Sequence, residues 1–187
     1  MKRINQKNIN TPNLYDGKVP TSFGITDMER LWKLVKHFTS GTYVDIGCND
    51  SIMPALMAER DVVFASYGLD HSKELIDFLK PRFPVVHYEV ADCYNLPKIP
   101  GGIDYIVAGE LIEHLEKPQE AIDHWMSKLE DGGFLAISTP FEEQGGEVGG
   151  AQHLWSYTVQ DMYDFGFTEV EVLQEVRHKT ILAWKQK

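Results

Sequence analysis

The chain has 187 residues, 43% of them hydrophobic, which is enough for one domain with a sizeable core and short for two. Lys and Arg total 18 against 28 Asp and Glu, a formal charge of −10. That balance argues against broad binding to a phosphate backbone, and so against nucleic acid, and suits a small or cationic ligand. The two cysteines, Cys48 and Cys93, form no CxxC pair, which argues against a disulfide framework or zinc knuckle and fits a reducing, cytoplasmic setting. No apolar run approaches the ~18–20 residues of a membrane span, and the polar stretch from Met1 to Asn10 lacks the apolar centre of a signal peptide.

Residues 1–22 are rich in Asn, Lys, Thr and Pro and show little apolar periodicity. They read as an arm or lid, with Leu14 and Tyr15 as docking points and Tyr15 as a candidate substrate contact. A single domain is expected over 23–187. Thr26 or Asp27 can cap a helix in which Met28, Leu31, Trp32, Leu34, Val35 and Phe38 recur at helical spacing, with Gly41 as its stop. Strands and helices then alternate: a strand at about 42–46, a helix at 51–59, a strand at 62–69, a helix at 72–79 ended by Pro81, and strands at 85–90 and 103–108. A helix from Pro118 to Leu129 follows, then Gly132-Gly133 turning into a strand at 134–138.

The alternation predicts an α/β fold with a parallel sheet covered by helices on both faces. After a short helix at 159–165, strands at 170–173 and 180–184 are joined by a link too short for a helical crossover, so they should pair antiparallel. The stretch from Glu142 to Gly150 is glycine-rich and reads as a flexible loop at the carboxyl edge of the sheet.

The most informative segment is Tyr43-Val44-Asp45-Ile46-Gly47-Cys48-Asn49-Asp50-Ser51, where an apolar strand ends on an acid, a glycine and a small polar turn before a helix. Gly47 allows close approach of a ligand to the backbone, and the N–H groups beyond it can receive a carboxylate. Asp45 can hold an ammonium. The plain alternative is a strand-to-helix turn capped by Asp50 or Ser51. A second acid, Asp70 in Tyr67-Gly68-Leu69-Asp70-His71-Ser72, ends the next strand, where a carboxylate can accept both ribose hydroxyls. Asp70 or Ser72 can equally cap the following helix.

The first segment resembles motif I of the class I S-adenosylmethionine (SAM) methyltransferases, Asp-x-Gly-x-Gly-x-Gly, with Asn49 and Ser51 in place of the second and third glycines. Val90-Ala91-Asp92-Cys93-Tyr94-Asn95-Leu96-Pro97 resembles the segment in which the family's Asp accepts from the adenine amino group. Gly102-Ile103-Asp104 opens a strand running to Gly109-Glu110, and Leu129-Glu130-Asp131-Gly132-Gly133 resembles the family's Leu-x-x-Gly-Gly turn. These pieces fall in the family's order over about 42–140. The resemblance implies a Rossmann-like doubly wound sheet, mostly parallel and seven-stranded, with a terminal antiparallel pair. It also implies SAM contacts at Asp45, Gly47, Cys48, Asn49, Asp70, His71, Asp92, Cys93, Gly109 and Glu110. NAD is the rival cofactor, but its pyrophosphate wants Gly-x-Gly-x-x-Gly, and Asp50 here would repel phosphate.

Glu110-Leu111-Ile112-Glu113-His114-Leu115 is the candidate active-site segment. Methyl transfer needs alignment and the removal of one proton, for which His114 is a candidate base, with Glu110 shaping the cofactor or acceptor side. Glu-x-x-Glu-His, together with downstream His153, is similar to the ligand set of the Hen-type RNA 2′-O-methyltransferases, and the segment also resembles the ubiquinone-pathway O-methyltransferases. Glu110, Glu113, His114 and His153 are therefore candidate ligands for a divalent Mg or Mn. The plain alternative for His114 is a helix-end histidine packed on the sheet. His153, Trp155 and Tyr157 can line the acceptor entrance, or Trp155 can anchor the loop to the core.

The expected function is a SAM-dependent methyltransferase (EC 2.1.1 type) acting on a small molecule, at oxygen by preference. The alternatives are a metal-dependent RNA 2′-O-methyltransferase and a non-catalytic SAM-binding scaffold. A homodimer is left open.

Overall fold

The computed structural model describes residues 2–3, 28–141, 153–174 and 179–187. The expected helical cap at Thr26 or Asp27, most of the N-terminal arm including Tyr15, and the glycine-rich loop lie outside these residues. Strand β1 is Lys2–Arg3. Helix α1, Met28–Leu34, is followed by β2, Gly41–Ile46, then α2, Met53–Ala58, and β3, Val63–Asp70. Next come α3, Lys73–Leu79, β4, His87–Val90, and β5, Ile103–Gly109. A 3-10 turn at Ile112–His114 leads to α4, Pro118–Lys128, and β6, Leu129–Phe141. The remaining elements are β7, Trp155–Ser156, α5, Val159–Asp164, β8, Glu169–Gln174, and β9, Lys179–Gln186.

The main sheet has seven strands in the order β4-β3-β2-β5-β6-β9-β8. The first five pair in parallel, while β9 runs antiparallel to both β6 and β8. The parallel strands and antiparallel end are those that the alternation and the short final link predict, and the Rossmann-like form is the one that the resemblance implies. Every residue of β2 is buried, as a strand covered on both faces requires.

Alternate residues feed two different cores. Val44, Ile46, Ile106, Ala108 and Ile137 pack towards α4 and α5 with Trp125 and Met162. Tyr43, Tyr105, Val107 and Ala136 pack towards α1 and α2 with Leu34 and Met57. Asp45 shares the second face by its period-two spacing from Tyr43, which points it towards α1.

Three features depart from the sequence reading by more than a residue or two. Helix α1 stops at Leu34 rather than continuing to Phe38. The Leu34 carbonyl accepts from the Tyr105 hydroxyl at 2.7 Å and from the Trp184 indole N–H at 3.1 Å. The Phe38 N–H instead bonds the Val35 carbonyl at 3.0 Å. Strand β6 begins at Leu129, immediately after α4. Its register against β5 breaks between Ile103 and Tyr105. At that break Gly133 passes so close to the next strand that a Cβ would lie 2.9 Å from the Asp104 carbonyl oxygen. The third difference is the β1–β7 ribbon, which pairs Lys2 with Ser156 and Arg3 with Trp155. The arm is thus tied at its start to the segment that carries His153.

Among the described residues, no helix is long and apolar enough to cross a membrane.

Gly68 tests the packing around β3. A Cβ there would sit 2.4 Å from the Tyr88 ring and 3.2 Å from the Cys48 sulfur. Gly68→Ala should lower unfolding stability by about 1–3 kcal/mol in chemical denaturation; an unchanged midpoint would show that the β3–β4 contact is looser than described.

Candidate functional site

The carboxyl ends of β2, β3, β4 and β5 converge with the turns that follow them. After β2 the chain reverses through two left-handed residues, Gly47 at φ +66° and Asn49 at φ +46°. Asn is among the few non-glycine residues that enter this region readily. The missing second glycine of the motif is therefore accommodated without changing the path of the turn. Ser51 supports the start of α2 by accepting the Met53 N–H on its hydroxyl at 3.1 Å, although the cap position itself is Ile52. Cys48 places its side chain in the core beneath α3, where burial pushes its thiol well up. Only its backbone lies along the turn.

Asp70 is the hub of the adjoining loops. Its carboxylate accepts from the Asn49 N–H at 3.1 Å and from the Ser72 N–H at 2.9 Å, and its carbonyl accepts from Ala91 at 2.8 Å. Ser72, not Asp70, caps α3, its hydroxyl accepting from Leu75. His71 stands beside Asp70, largely exposed, with Nδ1 3.4 Å from the carboxylate. Asp92 is exposed after β4 and accepts the Tyr94 N–H at 2.9 Å. Neighbouring Cys93 is part-buried, and burial, with repulsion from Asp92, pushes its thiol up to about 12.

Asp45 is 4% exposed. Burial first, and then the charge of Asp70, push its carboxyl up to about 7, against the opposing effects of Arg30 and Ser51. The Tyr43 hydroxyl lies beside it, outside hydrogen-bond geometry.

Glu110 also has a left-handed backbone, at φ +52°. It is held there from three sides. Its N–H donates to the Ser138 carbonyl at 2.9 Å, the Ser138 hydroxyl donates to its Oε1 at 2.8 Å, and Arg30 Nη1 lies 3.3 Å from the same oxygen. Arg30 also donates to the Ser138 hydroxyl at 3.1 Å. A non-glycine residue held in this region is the kind of strain that surrounding structure must over-determine. Arg30 carries no motif signal. Its one sequence clue is that it stands four residues before buried Leu34, on the inward stripe of α1.

The 3-10 turn brings a second group together. Glu113 is 1% exposed, with Oε2 accepting from Thr139 at 3.0 Å. Among the described residues Oε1 has no hydrogen-bond partner, and it faces His114 Nε2 at 3.8 Å. The His114 and His153 rings meet edge to face at 4.8 Å. One ligand atom from each of Glu113, His114 and His153 lies within 4.8 Å of the others. Glu110, the fourth candidate, is not in this group; its carboxylate turns to Arg30 and Ser138. Burial, and then Glu110, push the Glu113 carboxyl well up. Burial, and then His114, bring His153 down to about 4, so it is neutral at neutral pH. Trp155 donates its indole N–H to the Leu115 carbonyl at 2.7 Å, and Tyr157 its hydroxyl to the Ile112 carbonyl at 3.1 Å. Both residues therefore anchor the turn that presents Glu113 and His114.

A family model described as a methyltransferase domain matches residues 25–174. The chain is 24% identical over 150 residues to a ubiquinone biosynthesis O-methyltransferase of Coxiella burnetii, covering 76% of this chain and 60% of that protein. It thus spans about 60% of the length of that relative. Among solved structures, the N-methyltransferase NodS of Bradyrhizobium japonicum, in complex with S-adenosyl-L-homocysteine (SAH), superposes with a TM-score of 0.66 at 18% identity, covering 87% of this chain and 88% of that one. The methyltransferase domain of a bacterial Hen1 protein, CtHen1-CN, superposes with a TM-score of 0.65 at 17% identity, covering 87% and 100%.

Because burial holds the Asp45 carboxyl at about 7, its native form keeps a proton that the unfolded chain releases near 3.8. Its contribution to stability is therefore full at low pH and is lost as pH rises from about 4 through 7. Asp45→Asn should raise stability at pH 8, by up to about 4 kcal/mol, and the gain should vanish towards pH 4. Denaturant melts at the two pH values check this; a gain equal at both would show that Asp45 is not destabilised by burial.

Proposed function

The chain belongs to the methyltransferase-domain family, among the class I SAM-dependent methyltransferases, and on that premise we propose that it methylates a small-molecule acceptor, at oxygen. The observation that carries the proposal is the carboxyl edge itself. Asp45, Glu110 and Glu113 gather there around the guanidinium of Arg30, with Asp70 beside Asp45. A ligand that brings an ammonium and a sulfonium relieves the repulsion among these acids, and phosphate would increase it.

SAM, when bound, supplies an electrophilic methyl carbon on sulfur. The chain's residues bind, align and move a proton. The turn from Gly47 to Asn49 offers its open backbone to the amino-acid end, with Asp45 for its ammonium and Arg30 for its carboxylate. Asp70 and His71 take the ribose, and Asp92 with the Cys93 backbone takes the adenine. Gly109 and Glu110 close the side next to the acceptor. His114 accepts the proton of the acceptor hydroxyl, and Glu113 Oε1 stands 3.8 Å from its Nε2.

The small acceptor is favoured over RNA by the charge of −10. One observation favours a metal-assisted version of the same reaction. The buried, half-satisfied carboxylate and two imidazoles of Glu113, His114 and His153 are chemically suited to a divalent ion. Such an ion would lower the pKa of the acceptor hydroxyl.

Calorimetric titration with SAM and SAH, with and without Mg or Mn, tests the reading. Both ligands should bind, and Asp70→Asn should weaken SAH by about tenfold with the fold retained by melting. No binding of either ligand, or an unchanged affinity in Asp70→Asn, would contradict the assignment. His114→Ala should leave SAH affinity in place and lower kcat by about a hundredfold or more. Equal losses in both would make His114 structural. If His153→Ala abolishes a Mn dependence seen in the native protein, the metal-assisted version holds; activity indifferent to Mn and to chelator rules it out.

A further inference from the structure

The loop that follows β4, residues 91–97, carries Asp92 and Cys93, to which the proposed function assigns the adenine. It has little regular structure beyond the Asp92–Asn95 bridge. Its position is set from outside by α4 and the residue before it. The Trp125 indole N–H donates to the Cys93 carbonyl at 2.7 Å, and the Lys117 N–H donates to the Tyr94 hydroxyl at 3.0 Å. The third tie differs in kind. The Leu96 N–H donates to Nε2 of His124 at 3.1 Å.

An imidazole nitrogen can accept a hydrogen bond only through a lone pair. This tie therefore requires His124 to be neutral, with its proton on Nδ1. Protonation converts Nε2 to a donor facing another donor, and the bond is lost. Leu96 is buried, so its N–H is not simply handed to water. The surroundings keep His124 neutral under ordinary conditions. Burial, and then Lys128 one turn later on α4, lower its pKa, while Asp92 on the facing loop acts in the opposite direction. On α4 itself Glu120 stands one turn earlier, paired with Lys117, and the loop also carries Cys93 and Tyr94, whose protons are held up by burial.

We infer that His124 is a positioning residue for the adenine loop and a proton-sensitive latch: neutral, it holds Leu96 and with it the Asp92–Cys93 edge; protonated, it releases them and weakens binding of the adenosyl group. His124 touches neither cofactor nor acceptor and acts only through the loop. The inference rests on the assignment of adenine to Asp92 and Cys93. Nothing in the motifs marks it, since His124 and Leu96 are 28 residues apart in sequence.

The test uses 5′-methylthioadenosine, which has the adenosyl group but no amino-acid end, so titration of Asp45 does not enter the readout. SAH serves as the control ligand. For the native protein, affinity for 5′-methylthioadenosine should fall about three- to tenfold between pH 8 and pH 5.5. His124→Gln, whose amide oxygen can accept from Leu96 without titrating, should bind with native affinity at pH 8 and keep it at pH 5.5. His124→Leu should bind weakly at both. A His124→Gln protein that retains the native pH dependence, or a His124→Leu protein that binds natively at pH 8, overturns the latch.

Should His124→Leu not fold, amide exchange in the native protein decides. Protection of the Leu96 N–H should be lost on acidification together with titration of the His124 ring, and protection that persists through that titration overturns the latch. If the native protein binds neither nucleoside at pH 8, the assignment of SAM fails, while the amide measurement still judges the tie between His124 and Leu96.

Discussion

The structure turns on a concentration of buried acid at one edge of a parallel sheet, offset by the guanidinium of Arg30. Asp45 and Glu113 are almost fully buried, and both are pushed towards their neutral forms. Asp70 is nearly as buried but has two backbone donors on its carboxylate, and Glu110 has Arg30 and Ser138. The same edge thus holds acids whose charge is supported within the protein and acids that burial pushes towards the neutral form. The latter are where a cationic ligand would gain most, because desolvation has already been imposed by the fold rather than by binding.

The fold supplies this arrangement through strand periodicity. Alternate residues of β2 and β5 serve two different cores, which places Asp45 on the side of α1. That helix is fixed at its end by Tyr105 and Trp184, which both donate to the Leu34 carbonyl. One turn earlier, Arg30 then has little choice but to reach Ser138 on β6 and Glu110 at the end of β5. The left-handed backbone of Glu110 and the left-handed turn at Gly47 and Asn49 face one another across neighbouring strands. Glycine and asparagine adopt the turn readily, whereas Glu110 is held in its conformation by the surrounding contacts.

Much of this was legible in the sequence because it depends on local pattern. The run from Tyr43 to Ile46, the Gly47 turn and the short link before β9 each report their structure through spacing alone. They gave the parallel sheet and its antiparallel end. Asn49 was readable as a glycine substitute because its backbone tolerance is intrinsic. What was not legible depends on distant partners. Arg30 meets Ser138 across 108 residues, and Leu154 reaches the Glu113 carbonyl through a bond that no local pattern announces. The end of α1 at Leu34 was set by two side chains from β5 and β9. Trp155 and Tyr157 could be named as site residues, but whether they face a ligand or brace the 3-10 turn depended on where Ile112 and Leu115 came to lie. The pairing of Lys2–Arg3 with Trp155–Ser156 had no sequence signal at all.

If the cationic amino-acid end of the cofactor completes the buried acids at this edge, proton exchange on binding measures it directly. SAH titrations at pH 6.5 in buffers of different ionisation enthalpy give the number of protons moved per ligand bound. With the Asp45 carboxyl at about 7, a fraction of a proton, on the order of one half or more, should be released as the ligand's ammonium draws the carboxylate into its charged form. The release should disappear in Asp45→Asn. Binding with no proton exchange, or with proton uptake, would contradict the claim that the acidic edge is what the cofactor completes.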